Sequence, residues 1–294
     1  MLLSRQPHLP GQGSWVERRR LIGRHLSRVL GSPPGRLHLS RLVDEALGSY
    51  ARYWAESLRL PGLAADEISA GISYENFRYV EQSEAGGRGT IVALPHLGGW
   101  EWAGTHLALT GHKVSVVVER LRPPDLFEWF VSYRERLGMN VIPTGPDAAS
   151  RCKAALADNH VLCLLSDRLL PGASGVEVEF FGERTSLPAG PALLALRTGA
   201  PLLPAAVYFE ARTDRHTGVL LPPLDTSRSG RMREDVQRVT QDLAGAFEKL
   251  IRRAPTQWHL LQPNWPSDRL TGDRLTGDHR SGDHRSGDRP VAGR

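Results

Sequence analysis

Residues 90–111 read TIVALPHLGGWEWAGTHLALTG, and they hold a strand, a loop and a helix in immediate succession. The apolar, β-branched run over 90–96 predicts a buried strand that leads into a loop. Two glycines interrupt the pattern, and we expect a helix from near Trp100 to Gly111. A strand that passes directly into a helix is the building unit of α/β folds.

The same alternation continues downstream of this unit. Further strands are predicted over 113–119, 139–142, 161–167, 175–182, 201–209 and 219–222. Helical patterns separate or follow them over 123–137, 147–158, 188–199 and 231–253. Upstream, helical patterns cover 15–30, 38–60 and 64–72. We therefore expect an α/β fold with a largely parallel central sheet flanked by helices, preceded by N-terminal helices.

The composition divides the chain into four parts. We predict a flexible N-terminus over 1–14, a helical segment over 15–85, an α/β domain over 86–268 and a disordered tail over 269–294. The tail carries a repeat that begins at residue 271 and reads TGDRL, TGDHR, SGDHR, SGDR. Units rich in glycine and charge have no apolar side chains with which to form a core.

The charge and cysteine content narrow the function classes. The chain has 37 Lys and Arg against 32 Asp and Glu, a net charge of +5, which suits anionic partners without choosing among them. Its only cysteines, Cys152 and Cys163, lie too far apart for a CxxC pair, so we expect neither structural zinc nor a disulfide framework. No apolar run reaches the roughly 20 residues of a membrane span, and we see no signal peptide.

The helix over 15–30 allows two interpretations. It carries five arginines beside an apolar stripe, as a helix that lies on a lipid surface would. The alternative is a solvated helix that packs through its stripe.

His96 is the main candidate for chemistry because it follows a buried strand, where open α/β sheets bind their ligands. Gly98 and Gly99 are expected to let the backbone approach a substrate, and free N–H groups at the start of the helix can steady an oxyanion. The spacing to Glu101 can bring a carboxylate to the imidazole. On the residues alone, His96 can equally be a loop residue and Glu101 an ordinary first-turn acid.

Four blocks in the correct order resemble the lysophospholipid acyltransferase superfamily. PHLGGWEWAG at 95–104 resembles its His-x-x-x-x-Asp/Glu motif, in the branch of the lipid A late acyltransferases and the phosphatidylinositol mannoside acyltransferases. The second block, residues 167–205, begins with Asp-Arg and contains GVEVEFFGE. The blocks SYARYWAESLRLP at 49–61 and QWHLLQPNW at 257–265, together with GVEVEFFGE, favour the phosphatidylinositol mannoside branch.

The resemblance implies an acyl transfer, commonly of palmitoyl, from acyl-CoA to the 6-hydroxyl of the mannose of phosphatidylinositol mannoside. It places the enzyme peripherally at the cytoplasmic face of the cell membrane. A thioester is already activated, so no metal or other cofactor is expected, with acyl-CoA as co-substrate. The absence of a G-x-S-x-G elbow favours direct transfer without an acyl-enzyme.

The resemblance also assigns roles to residues. His96 is the expected general base, supported by Glu101 within the motif. Glu177 is the first choice, and Glu179 the alternative, for a second carboxylate that contacts the ring. The predicted substrate-binding residues are Gly98, Gly99, Trp100, Arg134 and Arg168, with Trp100 and Trp102 as candidates for an acyl groove.

Two alternatives remain at this stage. The acceptor can be another lipid, such as a lipid A-like sugar or a lysophospholipid, because the catalytic block would look the same. The chain can also be a basic, non-catalytic membrane-binding relative. Nucleic acid is not an expected partner, since RNA-recognition signatures are absent from the sequence.

Overall fold

The structure is a computed structural model that describes residues 14–120, 123–170, 173, 175–211 and 214–268. The predicted flexible N-terminus, apart from Ser14, and the predicted repeat tail lie outside the described residues.

The helices follow the helical patterns of the sequence closely, except at Arg78–Ala85, where no helix was predicted. They are α1 (Trp15–Val29), α2 (Arg36–Arg59), α3 (Ala65–Ala70), α4 (Arg78–Ala85), α5 (Trp100–Leu109), α6 (Pro124–Arg136), α7 (Ala148–Ala157), α8 (Gly190–Thr198) and α9 (Met232–Arg253). The strands are β1 (Ile72–Glu75), β2 (Thr90–Leu94), β3 (Val114–Val118), β4 (Asn140–Pro143), β5 (Val161–Leu165), β6 (Gly175–Phe180), β7 (Glu183–Pro188), β8 (Leu202–Phe209) and β9 (His216–Leu220).

The central sheet has seven strands in the order β1-β9-β8-β2-β5-β3-β4. Neighbouring strands run parallel except at β8 and β9, which are antiparallel. The predicted α/β class, with a largely parallel sheet flanked by helices and preceded by N-terminal helices, is confirmed.

Strand β2 lies between β5 and β8, and every one of its residues is buried. Its register against β5 pairs Leu94 with Leu165, the last residue of each strand. Because these strands are parallel, their carboxyl ends meet at one edge of the sheet. His96 and Asp167 each follow two residues after the paired ends, so the sheet itself brings them side by side.

One strand lies inside the segment that the sequence predicted to be helical. Residues 72–75, ISYE, form β1 and pair in parallel with β9 at the edge of the sheet. Their side chains alternate between half-buried and exposed, as in a strand that covers one face. The segment 15–85 is therefore not purely helical, because these residues pair with a strand that lies far along the chain.

The predicted strand over 175–182 forms a separate hairpin rather than joining the central sheet. β6 pairs antiparallel with β7, and Phe181 and Gly182 form the turn with φ angles of 52° and 74°. Positive φ at both turn residues matches the right-handed twist of a two-residue hairpin. β7 was not predicted from the sequence. The hairpin carries Glu177 and Glu179, so its position determines where these two carboxylates lie.

Buried ion pairs fix the N-terminal helices to the rest of the molecule. Glu56 of α2 lies 2.8 Å from Nε2 of the fully buried His216 at the start of β9. In α1, His25 lies 3.1 Å and Arg28 2.9 Å from the buried carboxylate of Asp268. A buried carboxylate that loses such partners is strongly destabilising, so these contacts hold both helices firmly.

Within the described residues, no helix combines the length and the apolar character needed to cross a membrane.

Candidate active site

The imidazole of His96 and the carboxylate of Asp167 form the central pair of the site. Nδ1 of His96 lies 2.5 Å from Oδ1 of Asp167. The Asp167 side chain is fully buried, whereas that of His96 is 18% exposed. One member of the pair is therefore sealed in the protein and the other reaches solvent.

Asp167 is held as a carboxylate although it is buried. Burial by itself raises the pKa of Asp167, but the charge of His96 and the hydrogen bonds from His96 and Trp258 outweigh it, so the pKa lies below its usual value. The indole Nε1 of Trp258 donates to Oδ2 at 2.7 Å. Both carboxylate oxygens thus accept a hydrogen bond.

This arrangement selects the tautomer of His96. An ionised carboxylate only accepts hydrogen bonds, so Nδ1 of the neutral ring must carry the proton that it donates to Asp167. The lone pair then lies on Nε2. A histidine whose Nδ1 is fixed by a carboxylate, with Nε2 as the basic nitrogen, is arranged as a general base.

The two glycines after His96 are required by the fold. A Cβ on Gly98, whose φ is +62°, would lie 1.9 Å from the carbonyl oxygen of Val207 in β8. A Cβ on Gly99 would lie 2.6 Å from the His216 ring. Their N–H groups donate to the carbonyls of Gln257 and Val207 at 3.0 and 3.1 Å. These contacts explain why both positions require glycine, and the role of Gly98 and Gly99 toward a substrate stays a prediction.

Glu101 does not contact His96, which corrects the prediction for the motif acid. Its carboxylate is buried and accepts hydrogen bonds from Nη2 and Nε of Arg134 in α6 at 2.5 and 3.2 Å. The hydroxyl of Tyr53 in α2 donates to it at 3.3 Å. Burial disfavours the charged form of Arg134, but Glu101 outweighs burial and raises its pKa. Glu101 therefore joins α5 to α6 and α2.

The two glutamates of the hairpin lie elsewhere as well. The side chain of Glu177 is 68% exposed, and its carboxylate lies 3.5 Å from Nη1 of Arg184 on the paired strand. Glu179 is also exposed. The predicted contact of Glu177, or of Glu179, with His96 is corrected, because Asp167 holds the ring.

The arginines predicted to bind substrate have protein partners. Arg134 pairs with Glu101, and Nη2 of Arg168 donates to Oε2 of Glu119 at 3.0 Å. Because these carboxylates offset both guanidinium charges, neither residue offers an uncompensated cation to a phosphate. A part of Arg168 remains accessible, and its role toward substrate stays a prediction.

Trp100, one of the predicted binding residues, lies next to His96. Its ring centre lies 5.7 Å from that of His96 in an edge-to-face contact and 4.1 Å from that of Tyr53 in a stacked one. Trp102, by contrast, packs inside the protein, where its Nε1 donates to the carbonyl of Ile68 at 2.9 Å. Only the first of the two tryptophans faces the site.

An apolar cavity extends from Trp100 between α5 and the sheet. Its empty volume is about 790 Å³, a figure that includes open solvent at the mouth, and its lining is almost entirely apolar. Leu94 and Trp100, which flank the His96 loop, belong to its wall, and Val116, Leu107 and Val80 line it farther along. The cavity therefore reaches the chain on both sides of His96, through Leu94 and Trp100.

His259 completes the surroundings of His96. Its N–H donates to the carbonyl of His96 at 2.7 Å, and its Nε2 lies 2.9 Å from Oγ of Ser49 in α2. Burial, together with nearby His96, lowers the pKa of His259 to about 3. Its ring is therefore uncharged at neutral pH and does not compete with His96 for a proton.

The sequence contains a signal that points to Asp167 as a site residue. The residue follows the buried strand VLCLL just as His96 follows TIVAL. Trp258 and His259 lie in the C-terminal block QWHLLQPNW, whose composition alone does not point to the site. The proximity of Asp167 to His96 can be recognised only when the strand order is known.

The partner of His96 can be tested directly by nitrogen-15 NMR. We expect the Nδ1–H proton of His96 to give a strongly downfield resonance near neutral pH, because it is shared with a carboxylate. Asp167→Asn should remove that resonance, and Glu177→Gln, the matched control on the hairpin, should retain it. Loss of the signal in the Glu177 variant, or its persistence without the Asp167 carboxylate, would contradict the assignment.

Comparison with known proteins identifies the family of the chain. A family model described as bacterial lipid A biosynthesis acyltransferase matches residues 14–267. The chain is 42% identical over 250 residues to the phosphatidylinositol mannoside acyltransferase of Mycolicibacterium smegmatis, covering 84% of this chain and 79% of the relative. It is 39% and 38% identical to proteins of the same name from two strains of Mycobacterium tuberculosis, covering 84% of this chain and 77% of each relative. The chain therefore belongs to the bacterial lipid A biosynthesis acyltransferase family.

Proposed function

We propose that this protein transfers a fatty acyl group, palmitoyl in the first place, from acyl-CoA to the mannose 6-hydroxyl of phosphatidylinositol mannoside. The observation that carries the proposal is the His96–Asp167 pair beside an apolar cavity. The acceptor is supported by relatives named phosphatidylinositol mannoside acyltransferase at 38–42% identity.

The proposed reaction is a direct transfer with His96 as the base. Nε2 takes the proton of the sugar hydroxyl while its oxygen attacks the thioester carbonyl carbon. The tetrahedral intermediate collapses by breaking the carbon–sulfur bond, and the leaving thiolate takes the proton from the imidazolium. Ester and free CoA result, and no group remains on the enzyme. Asp167 stabilises the imidazolium that exists between the two proton transfers.

The first turn of α5 is suited to the oxyanion of that intermediate. The helix begins at Trp100, and the N–H groups of a first helical turn have no acceptor within the helix. The N–H of Trp102 donates to the carbonyl of Gly99 at 3.0 Å, so the N–H groups of Trp100 and Glu101 are the proposed donors. With the N–H groups of Gly98 and Gly99 bonded to the protein, this turn is the remaining source of backbone donors on the loop.

The apolar cavity is the proposed site of the acyl chain. A thioester beside His96 would direct its hydrocarbon tail past Trp100, between α5 and the sheet. Burial of each methylene is worth roughly 0.8 kcal/mol, so a long chain gains considerable binding energy there. The thioester needs no further activation, and we propose that no metal or other cofactor takes part.

The proposed location is the cytoplasmic surface of the membrane, with the end of the molecule formed by α1 and the start of α2 against the lipid. Trp15 and Leu37 are 60% and 82% exposed at this end. A groove between the helices is lined by several arginines: Arg19, Arg20, Arg24, Arg28 and Arg36. Exposed apolar side chains beside basic ones are typical of proteins that rest on anionic lipid.

A transfer assay tests the function. Protein, labelled palmitoyl-CoA and phosphatidylinositol mannosides should yield acylated product and free thiol, and His96→Ala should lower kcat by about 10²–10⁴-fold. His160→Ala alters a histidine that directly precedes β5, at the opposite end of that strand from Asp167, and should retain activity.

The outcomes separate the alternatives. Transfer only to a lipid A-like sugar or a lysophospholipid would change the acceptor and keep the mechanism. If no acceptor gives turnover, the chain is a non-catalytic membrane-binding relative. Undiminished transfer by His96→Ala would refute the role of His96 as the base.

Chain-length selection tests the cavity. Gly104 in α5 lines it, and a Cβ there meets only the flexible Met139 side chain, with Sδ 3.3 Å away. We expect Gly104→Leu to lower the ratio of kcat/KM for palmitoyl-CoA to that for octanoyl-CoA by about tenfold or more. Gly245→Leu, at a helical glycine of α9 whose Cβ would meet open space, should leave the ratio unchanged. An unchanged ratio in the Gly104 variant would place the chain elsewhere.

Vesicle flotation tests the membrane surface. The protein should float with vesicles rich in anionic phospholipid, less so at high salt, and the double variant Trp15→Ala, Leu37→Ala should bind at least several-fold more weakly. Trp129→Ala removes a tryptophan that is 41% exposed on α6 and serves as the control. Equal loss in both variants would speak against this surface.

A further inference from the structure

The segment 257–259 contacts both members of the central pair. The indole of Trp258 donates to Oδ2 of Asp167 at 2.7 Å, and the N–H of His259 donates to the carbonyl of His96 at 2.7 Å. The N–H of Gly98 in turn donates to the carbonyl of Gln257 at 3.0 Å. One short segment therefore fixes the base, the loop that carries it and the carboxylate behind it.

The Trp258 side chain is itself held in place. It is 5% exposed, and its ring lies among other aromatic rings, with centres 5.7 Å away at Phe181, 6.0 Å at Phe180 and 6.3 Å at Trp265. A buried indole with such neighbours has little freedom to turn, so its N–H keeps one direction.

The chemical nature of this donor matters as much as its position. An indole N–H is neutral, and it satisfies Oδ2 without offsetting the carboxylate's charge. That charge remains for the imidazolium that forms when His96 takes a proton. Asp268, in contrast, pairs with Arg28 at 2.9 Å and with His25, as suits a carboxylate that joins structural elements.

We infer that Trp258 is a positioning residue for acyl transfer, which reserves Oδ1 of Asp167 for Nδ1 of His96 by occupying Oδ2. This inference rests on the proposed function for its kinetic consequence only, because the hydrogen bonds are present in the protein without substrate. Trp258 acts through Asp167 and touches no reacting atom in this scheme.

The inference predicts a change in pH dependence with a definite sign. The indole bond is one of the causes that keep the pKa of Asp167 low. Without it, the carboxylate holds a proton more readily, and so does the His96–Asp167 pair as a whole. Activity is lost on the acid side when the pair is protonated, so the acid limb of kcat/KM should move to higher pH.

Other ionisable groups near Asp167 do not account for such a shift. His259 is uncharged at neutral pH, since burial and nearby His96 lower its pKa to about 3. Arg168, the next residue, bonds to Glu119. His25 lies behind the indole and bonds to Asp268 and to the carbonyl of Leu260.

The test compares three proteins with the wild type. Trp258→Phe removes the donor and some volume. Trp258 replaced by benzothienylalanine keeps the bicyclic shape and substitutes sulfur for the N–H, so it remains informative if the smaller side chain impairs folding. Trp265→Phe is the matched control, because that indole is buried in the same aromatic cluster but donates to the carbonyl of Phe180 at 3.2 Å.

We expect both Trp258 variants to lower kcat/KM by about tenfold and to raise the acid limb by roughly 0.5–1 pH unit. The Nδ1–H resonance of His96 should move away from its wild-type position in both. Trp265→Phe should lower thermal stability without moving either the limb or the resonance.

The proposed function and the role of Trp258 can be refuted independently of each other. A wild-type protein that transfers no acyl group refutes the proposed function, and the NMR comparison without substrate still decides the role of Trp258. A limb and a resonance that coincide with the wild type in the benzothienylalanine protein would overturn the inference.

Discussion

The hydrogen bond between Asp167 and His96 is the constraint on which the site depends. A carboxylate removed from water is costly unless its oxygens are bonded, and Asp167 has the imidazole on one oxygen and the indole on the other. The parallel register of β2 and β5 supplies the positions of both residues. The tautomer of the histidine follows from the charge of the carboxylate, so the basic nitrogen is a consequence of burial as much as of proximity.

The acid in the helix after the histidine has a different task. Glu101 lies five residues from His96 in the chain, yet it faces α6 and meets Arg134 across a buried contact. The pair offsets two charges beside the apolar cavity, to whose wall both residues belong. An uncompensated charge there would be unfavourable next to a hydrocarbon chain, so this ion pair keeps the cavity wall effectively neutral.

Much of the fold was predictable because its signals are local. The strands β2, β3 and β5 are short apolar runs, and α5 and α9 have clear helical patterns, so the α/β class followed from their alternation. His96 was predictable for the same reason, since it closely follows a buried strand.

The strand order could not be predicted from local patterns, because β5 lies beside β2 although β3 and β4 lie between them in the chain. Without that order, Asp167 could not be placed beside His96, and the glutamates of the hairpin appeared equally suitable. β1 was not predicted because its partner β9 lies far along the chain, and β7 was not predicted because its sequence, ERTSLP, is mostly polar.

The position of Trp258 late in the sequence has a consequence for biosynthesis. A nascent polypeptide that has emerged from the ribosome as far as β9 already contains His96 and Asp167, but the indole that donates to the second carboxylate oxygen is still to come. Residues 257–268 also supply the carboxylate that pairs with His25 and Arg28 of α1. Both sets of contacts can therefore form only after every strand of the central sheet has been synthesised.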